Sequence, residues 1–116
     1  ETWDASRPIL TDASLQLLTW DDRDGKSTMW HSSAHLMAEA LEQFYPGVKF
    51  GIGPPIDNGF YYDVDLGEHT ISNEDFKKIE DKMLELAQQK NKFIRSDVYT
   101  SKISPKTSTD PQMVMA

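Results

Sequence analysis

The sequence has no cysteine among its 116 residues. That excludes disulfides, a cysteine nucleophile and a thiolate metal ligand from this chain, and it fits a reducing, cytoplasmic compartment. No apolar run approaches the ~20 residues that a membrane-spanning helix requires, and no basic-then-apolar leader opens the chain, so we expect no membrane partner. There is no excess of positive charge either: 12 Lys and Arg stand against 19 Asp and Glu, a formal net charge of −7 with a pI near 4.8. A nucleic-acid-binding domain usually carries a basic stripe, and none is visible. DNA is therefore not an expected partner, and any RNA contact must be local or draw its affinity from elsewhere. The acidity itself reads as solubility. No segment repeats.

What is present suits a folded domain. Hydrophobic residues make up 38% and charged residues 27%, proportions of a globular rather than a disordered chain. At 116 residues the chain can bury a core, as one small domain or as one domain with a piece of another. It begins with Glu1, not methionine, and we expect it to lie inside a longer protein.

In chain order, residues 2–20 are expected to form strands. Pro8 suits a strand start or edge, Thr11-Asp12-Ala13-Ser14 has turn chemistry, and Leu15–Trp20 places Leu15 and Leu17 on one face. These residues resemble the last hairpin of a preceding domain. Asp21–Lys26 reads as a polar linker. Ser27 or Thr28 can cap a helix that Pro46-Gly47 ends. Its buried stripe is Trp30, Ala34, Met37, Leu41 and Phe44. At about 100° per residue, His31, His35, Ala38 and Glu42 fall on the flank of that stripe, outside the core but not on the outermost face.

Val48–Ile52 reads as a strand that Gly53-Pro54-Pro55 stops. Gly51 and Gly53 permit close backbone approach, including approach to a ligand. Asn58-Gly59 is a tight-turn pair that returns Phe60–Asp65 beside Val48–Ile52. Phe60, Tyr62 and Val64 then share one face, and Tyr61, Asp63 and Asp65 the other. Ser72 or Asn73 caps a second helix with acids in its first turn. Phe76, Ile79, Met83 and Leu86 form its stripe, and Lys90 and Lys92 suit its C-terminal end. Phe93–Tyr99 reads as one more strand, and the rest, rich in Ser, Thr, Pro and Lys without a period, as a loose tail.

Trp30-His31-Ser32-Ser33-Ala34-His35-Leu36 holds two of the three histidines, four residues apart. On a helix such a pair lies on one face, one turn apart. It can share a metal ion, as zinc sites often do, but zinc needs at least a third protein ligand and none is singled out. The Glu of the metalloprotease helix pattern is absent. Without a metal, two imidazoles beside a cleft can orient a water, move a proton or bond a ribose hydroxyl, with Tyr62 adding a phenol. The pair can equally be mere packing. His69, between Glu68 and Thr70, reads as a solvent-exposed loop residue.

The segments His31-Ser32-Ser33-Ala34-His35-Leu36, Tyr45-Pro46-Gly47 and Gly51-Ile52-Gly53-Pro54-Pro55-Ile56-Asp57-Asn58-Gly59-Phe60-Tyr61-Tyr62-Asp63 together resemble the N-terminal editing domain of bacterial threonyl-tRNA synthetases, over about residues 6 to 95. A looser form of the histidine helix occurs in alanyl-tRNA synthetase editing domains; the second strand pair favours the threonyl type. The resemblance implies hydrolysis of serine wrongly attached to threonine tRNA. A site built for threonine cannot strongly reject serine, because one methyl group is worth only about 1–3 kcal/mol. His31 and His35 match the family's first histidine pair, as water- or ribose-handling catalytic residues. Tyr62 matches an editing-pocket tyrosine, with Asp63 beside it in the pocket wall. Zinc at the pair stays open: the resemblance to alanyl-type sites favours a metal, and the threonyl type leaves a metal-free site open.

For the full protein the resemblance implies attachment of threonine to tRNA(Thr) with ATP, Mg and Zn, binding of the tRNA acceptor end, and a homodimer formed through other domains. The family completes its editing pocket with a Cys-x-x-x-His element further along. This chain has no cysteine and no histidine after His69, so we expect a partial pocket with little activity of its own. The expected architecture is α+β: a helix bearing the histidine pair packed on a small antiparallel sheet, with a second helix beside it. Residues 1–22 are expected to end a preceding small β-rich, TGS-like domain, residues 23–98 to form the first part of the tRNA-editing domain, and residues 99–116 to be an irregular tail. Two alternatives are a non-catalytic RNA-docking or interaction module and a free-standing aminoacyl-tRNA editing hydrolase. The Leu15–Trp20 strand argues against the latter, because it suggests an upstream domain of the ligase type.

Overall fold

The computed structural model describes residues 1–97. The expected tail, and the end of the strand expected over Phe93–Tyr99, lie outside the described residues. Two helices and a short β-ribbon make up an α+β fold: α1 (Arg23–Phe44), β1 (Lys49–Phe50), β2 (Pro55–Ile56), β3 (Gly59–Phe60), β4 (Val64–Asp65) and α2 (Asn73–Gln88).

Helix α1 begins a full turn before Ser27, inside the stretch expected to be a linker. Asp22 is its N-cap residue, and Asp24 places a negative charge in the first turn, where the helix dipole favours one. The Asp22 carboxylate accepts the Thr19 backbone N–H at 2.8 Å, and the Asp22 N–H bonds the Thr19 carbonyl at 3.0 Å. This turn folds residues 19–22 back over the helix start. Gly25 makes that possible: a Cβ there would collide with the Thr19 carbonyl. Ser27 and Thr28 are helical instead of capping, and the Thr28 hydroxyl donates to the Asp24 carbonyl at 2.8 Å.

The ribbon follows the expected return. Phe50 pairs with Val64 and Lys49 with Asp65, antiparallel. Beyond them the Gly51 N–H donates to the Asp63 carbonyl at 2.8 Å and the Asp63 N–H to Ile52 at 3.3 Å. The prolines do not end the pairing: Pro55 faces Phe60, and the Pro54 carbonyl accepts the Tyr61 N–H at 3.2 Å. A proline needs only its carbonyl there, because the ribbon has two strands and its outer edge is free of a ladder. The tight turn sits one residue earlier than expected, on Asp57-Asn58, with Ile56 opposite Gly59. Gly59 has φ +142°, which a side chain would oppose.

In α2 the Asp75 carboxylate accepts the Ser72 N–H at 2.9 Å and its hydroxyl at 3.1 Å, the expected capping-box arrangement. Lys90, at φ +53°, takes the left-handed conformation just past the helix end.

The core joins Ala38, Ala40, Leu41 and Tyr45 of α1 and its end to Phe50, Ile79 and Leu86. Helix α1 packs on α2 and on the β2–β3 tip. The expected stripes hold in part. Ala34 and Leu41 are buried, whereas Trp30, Met37 and Phe44 are only half-buried, and the buried side turns toward Ala38. On α2, Ile79 and Leu86 are buried but Phe76 is exposed. Residues 2–20 form no strand, and neither do residues 93–97. Leu15 and Leu17 are exposed. A strand exists only against a partner, and none of the described residues presents one to these segments.

Leu41 is 2% exposed and Leu10 is 87% exposed. Leu41→Ala is expected to cost about 2–5 kcal/mol of unfolding free energy, and Leu10→Ala to stay within about 0.5 kcal/mol. Urea unfolding of both variants checks the assignment of the core.

Candidate functional site

The site is assembled where α1 meets the inner face of the ribbon. His31 and His35 project from α1 with ring centroids 4.8 Å apart and planes at 39°. His31 is half-buried, while His35 is only 6% exposed. The expected flank position therefore holds for His31, but His35 is as deeply placed as the core. The reason is the ribbon: its inner face covers the side of α1 that the helical pattern alone leaves open. Tyr62, on that inner face with half-buried Phe60 and Val64, stands edge-on to His35 at 6.1 Å and 87°. Phe50 supports Tyr62 from the neighbouring strand at 5.4 Å and 74°. At the outer end of the same seam, Trp30 lies 5.4 Å from Trp20 and 6.4 Å from Phe60.

Both ring nitrogens of His35 are buried and have no hydrogen-bond partner among the described residues. A neutral imidazole carries one donor and one acceptor, so both functions are unused. Buried polar atoms are nearly always paired, and an unpaired one costs about 1–3 kcal/mol. Trp30 Nε1 and the Tyr45 hydroxyl are likewise unpartnered. Burial holds the His35 pKa below its ordinary value, and the charge of His31 adds to that. His35 is thus a neutral imidazole at neutral pH. Burial, reinforced by the negative charge of Glu42, raises the Tyr62 pKa, so the phenol keeps its proton.

His31, His35 and Tyr62 come together. Asp63 does not face them: its side chain is exposed on the outer face of the ribbon, while its backbone holds the ladder to Gly51 and Ile52. His69 is exposed, as expected, and its ring lies 5.8 Å from Tyr45 at the far end of α1. Among the described residues no three His, Cys, Asp or Glu side chains gather to hold a metal ion. The pair supplies two donors, so these residues do not complete a zinc site. A groove of about 500 Å³ beside Phe44 contains neither histidine. Its lysines are engaged: Lys77 with Asp81 at 3.1 Å and Lys82 with Glu85 at 2.9 Å. No helix among the described residues is long and apolar enough to cross a membrane.

Sequence pattern alone did not single out Glu42 as a charge bearing on Tyr62, nor the structural use of Gly53. The two glycines of Gly51-x-Gly53 signal close backbone approach, and at Gly53 the group that approaches is the Tyr62 ring.

No protein-family model matches the chain. Individual proteins do, and they place it among relatives of the aminoacyl-tRNA synthetases. More narrowly, its relatives are threonine–tRNA ligases. The enzyme of Cytophaga hutchinsonii is 64% identical over 98 residues, 84% of this chain and 15% of the relative. That of Parabacteroides distasonis is 61% identical over the same share of each. That of Flavobacterium psychrophilum is 49% identical over 109 residues, 94% of this chain and 16% of the relative. The chain thus spans about 15% of the length of these relatives, and the family indicated by its motifs is the family found.

The lowered pKa of His35 has a stability consequence. Above its ordinary value of 6.5 neither the folded nor the unfolded chain protonates this group, and its full stability is present. As pH falls from there through the lowered folded value, the unfolded chain takes the proton first and stability is lost. Asp75 acts in the same direction in a separate window, because its pKa is lowered from 3.8 by the Ser72 hydrogen bonds. Urea midpoints are therefore expected to fall as pH drops below the ordinary His35 value of 6.5, and His35→Gln is expected to remove most of that slope.

Proposed function

We propose that this chain is the first part of the editing domain of a threonine–tRNA ligase, and that it contributes to hydrolysis of serine wrongly attached to tRNA(Thr). The observation that carries the reading is His35: a neutral, buried imidazole with two unused nitrogens, placed beside His31 and Tyr62, in a chain related to threonine–tRNA ligases. Unused hydrogen-bonding capacity at that depth suits a site that a substrate or an ordered water completes.

In the reaction a water attacks the ester carbonyl that joins serine to the terminal ribose. The bond from the carbonyl carbon to the ribose oxygen breaks, that oxygen takes a proton and becomes a hydroxyl, and free serine leaves. His35 accepts from or donates to the water or a ribose hydroxyl, and His31, the more open ring, passes the proton toward solvent. Tyr62 forms the pocket wall and offers its phenol O–H. Asp63 adjoins it from the other face of the strand. No step is assigned to zinc at the pair.

In this reading residues 1–22 end a preceding small β-rich domain and residues 23–98 begin the editing domain, completed by a Cys-x-x-x-His element elsewhere in the full protein. That protein attaches threonine to tRNA(Thr) with ATP, Mg and Zn, works in the cytoplasm as a homodimer, and brings the tRNA acceptor end to this site.

The test is serine release from mischarged tRNA(Thr). This chain alone is expected to release little, and a protein extended through the Cys-x-x-x-His element to release it readily. In the extended protein His31→Ala and His35→Ala are expected to slow release by about 10²–10⁴-fold while threonine attachment continues. An extended protein that releases no serine overturns the editing role and leaves a non-catalytic RNA-docking module. Unchanged release by His31→Ala overturns the role of that residue.

A further inference from the structure

Gly53 differs from the other glycines in what occupies the place of its missing side chain. A Cβ at Gly53 would lie 2.5 Å from Tyr62 Cδ2, 2.7 Å from Cε2 and 3.1 Å from Cγ. The Tyr62 ring therefore lies over the Gly53 backbone, in the space that any larger residue would fill. Backbone conformation does not demand glycine here, because positive φ occurs at Gly47, Gly59 and Gly67 and not at Gly53. Gly25 faces backbone, and Gly51 faces the Asp63 side chain, whose Cβ is at 3.1 Å. Only Gly53 meets a ring.

That ring is held on three sides. Gly53 lies beneath it, Phe50 meets it at 74°, and His35 meets it at 87°. Tyr62 is also part of what closes His35 off from solvent. A side chain at residue 53 would lift the ring from the strand, and the edge-on seat against His35 would go with it.

We propose that Gly53 is a positioning residue that seats the Tyr62 ring against His35 by leaving the space the ring occupies. Its consequence for editing rests on the functional reading above; the seating itself does not. The substitution that probes it is Gly53→Ala, which adds a single methyl group.

The test is NMR of the intact 116-residue chain. Cross-peaks between the Tyr62 and His35 ring protons are expected in the wild type and lost in Gly53→Ala, with a change in the His35 ring-proton shifts. Tyr62→Ala is expected to move those shifts as well, and Gly53→Ala to add nothing further in the Tyr62→Ala background. Retained cross-peaks in Gly53→Ala overturn the proposal. So does an equal shift change from Gly53→Ala whether or not Tyr62 is present. If Gly53→Ala fails to fold, the background decides: folding restored by Tyr62→Ala supports the proposal, and failure in both backgrounds overturns it. In the extended protein, Gly53→Ala is expected to slow serine release as much as Tyr62→Ala does, and the double variant to be no slower. Absence of serine release from the wild type would remove the editing role and leave the NMR result standing.

Discussion

Small side chains on more than one side of α1 set the distance at which the rest of the molecule packs. Ala34, Ala38 and Ala40 are fully buried, and they bring the helix close to the ribbon and to α2. Larger residues at those places would hold the elements apart and leave Leu41, Tyr45 and Phe50 without a closed core. The same close approach brings the inner face of the ribbon over His35. The core and the histidine site are therefore parts of one packing arrangement, and the helix cannot be moved without disturbing both.

That arrangement carries a local cost. An imidazole whose nitrogens find no partner among the described residues is buried beside a second imidazole, and that neighbour disfavours its charged form. Nothing in the hydrophobic pattern requires a histidine there; an apolar residue would fill the space without the desolvation penalty. Sites that sacrifice stability in this way are common where chemistry needs an unfilled hydrogen-bonding group. The extended N-terminal segment is a different case. Its leucines are exposed because they lack a partner among the described residues, and they stabilise nothing in the present fold.

Much of this was legible beforehand because it rests on local chemistry. The period of α2, the Ser72 and Asp75 capping box, and the alternation that puts Phe60, Tyr62 and Val64 on one face all depend on neighbours within a few residues. Where the outcome depends on how one segment folds back on another, the local pattern misled. The start of α1 depends on a turn at Thr19 and Asp22 that fits only against Gly25. The prolines at 54 and 55 look like strand breakers until the partner strand is seen to need only their carbonyl side.

By itself the sequence determined the two helices, the ribbon and its inward-facing residues, the helical histidine pair and the kinship with threonine–tRNA ligases, because periodicity, turn chemistry and motif spacing are written in consecutive residues. Only the tertiary structure decided that His35 is buried and unpartnered while His31 stays half-open, that Tyr62 comes to the pair and Asp63 does not, and that Gly53 is a seat for a ring. Each of these depends on which face of a distant element arrives at the helix and how near it comes. That distance is set by packing across the fold, which no local pattern encodes.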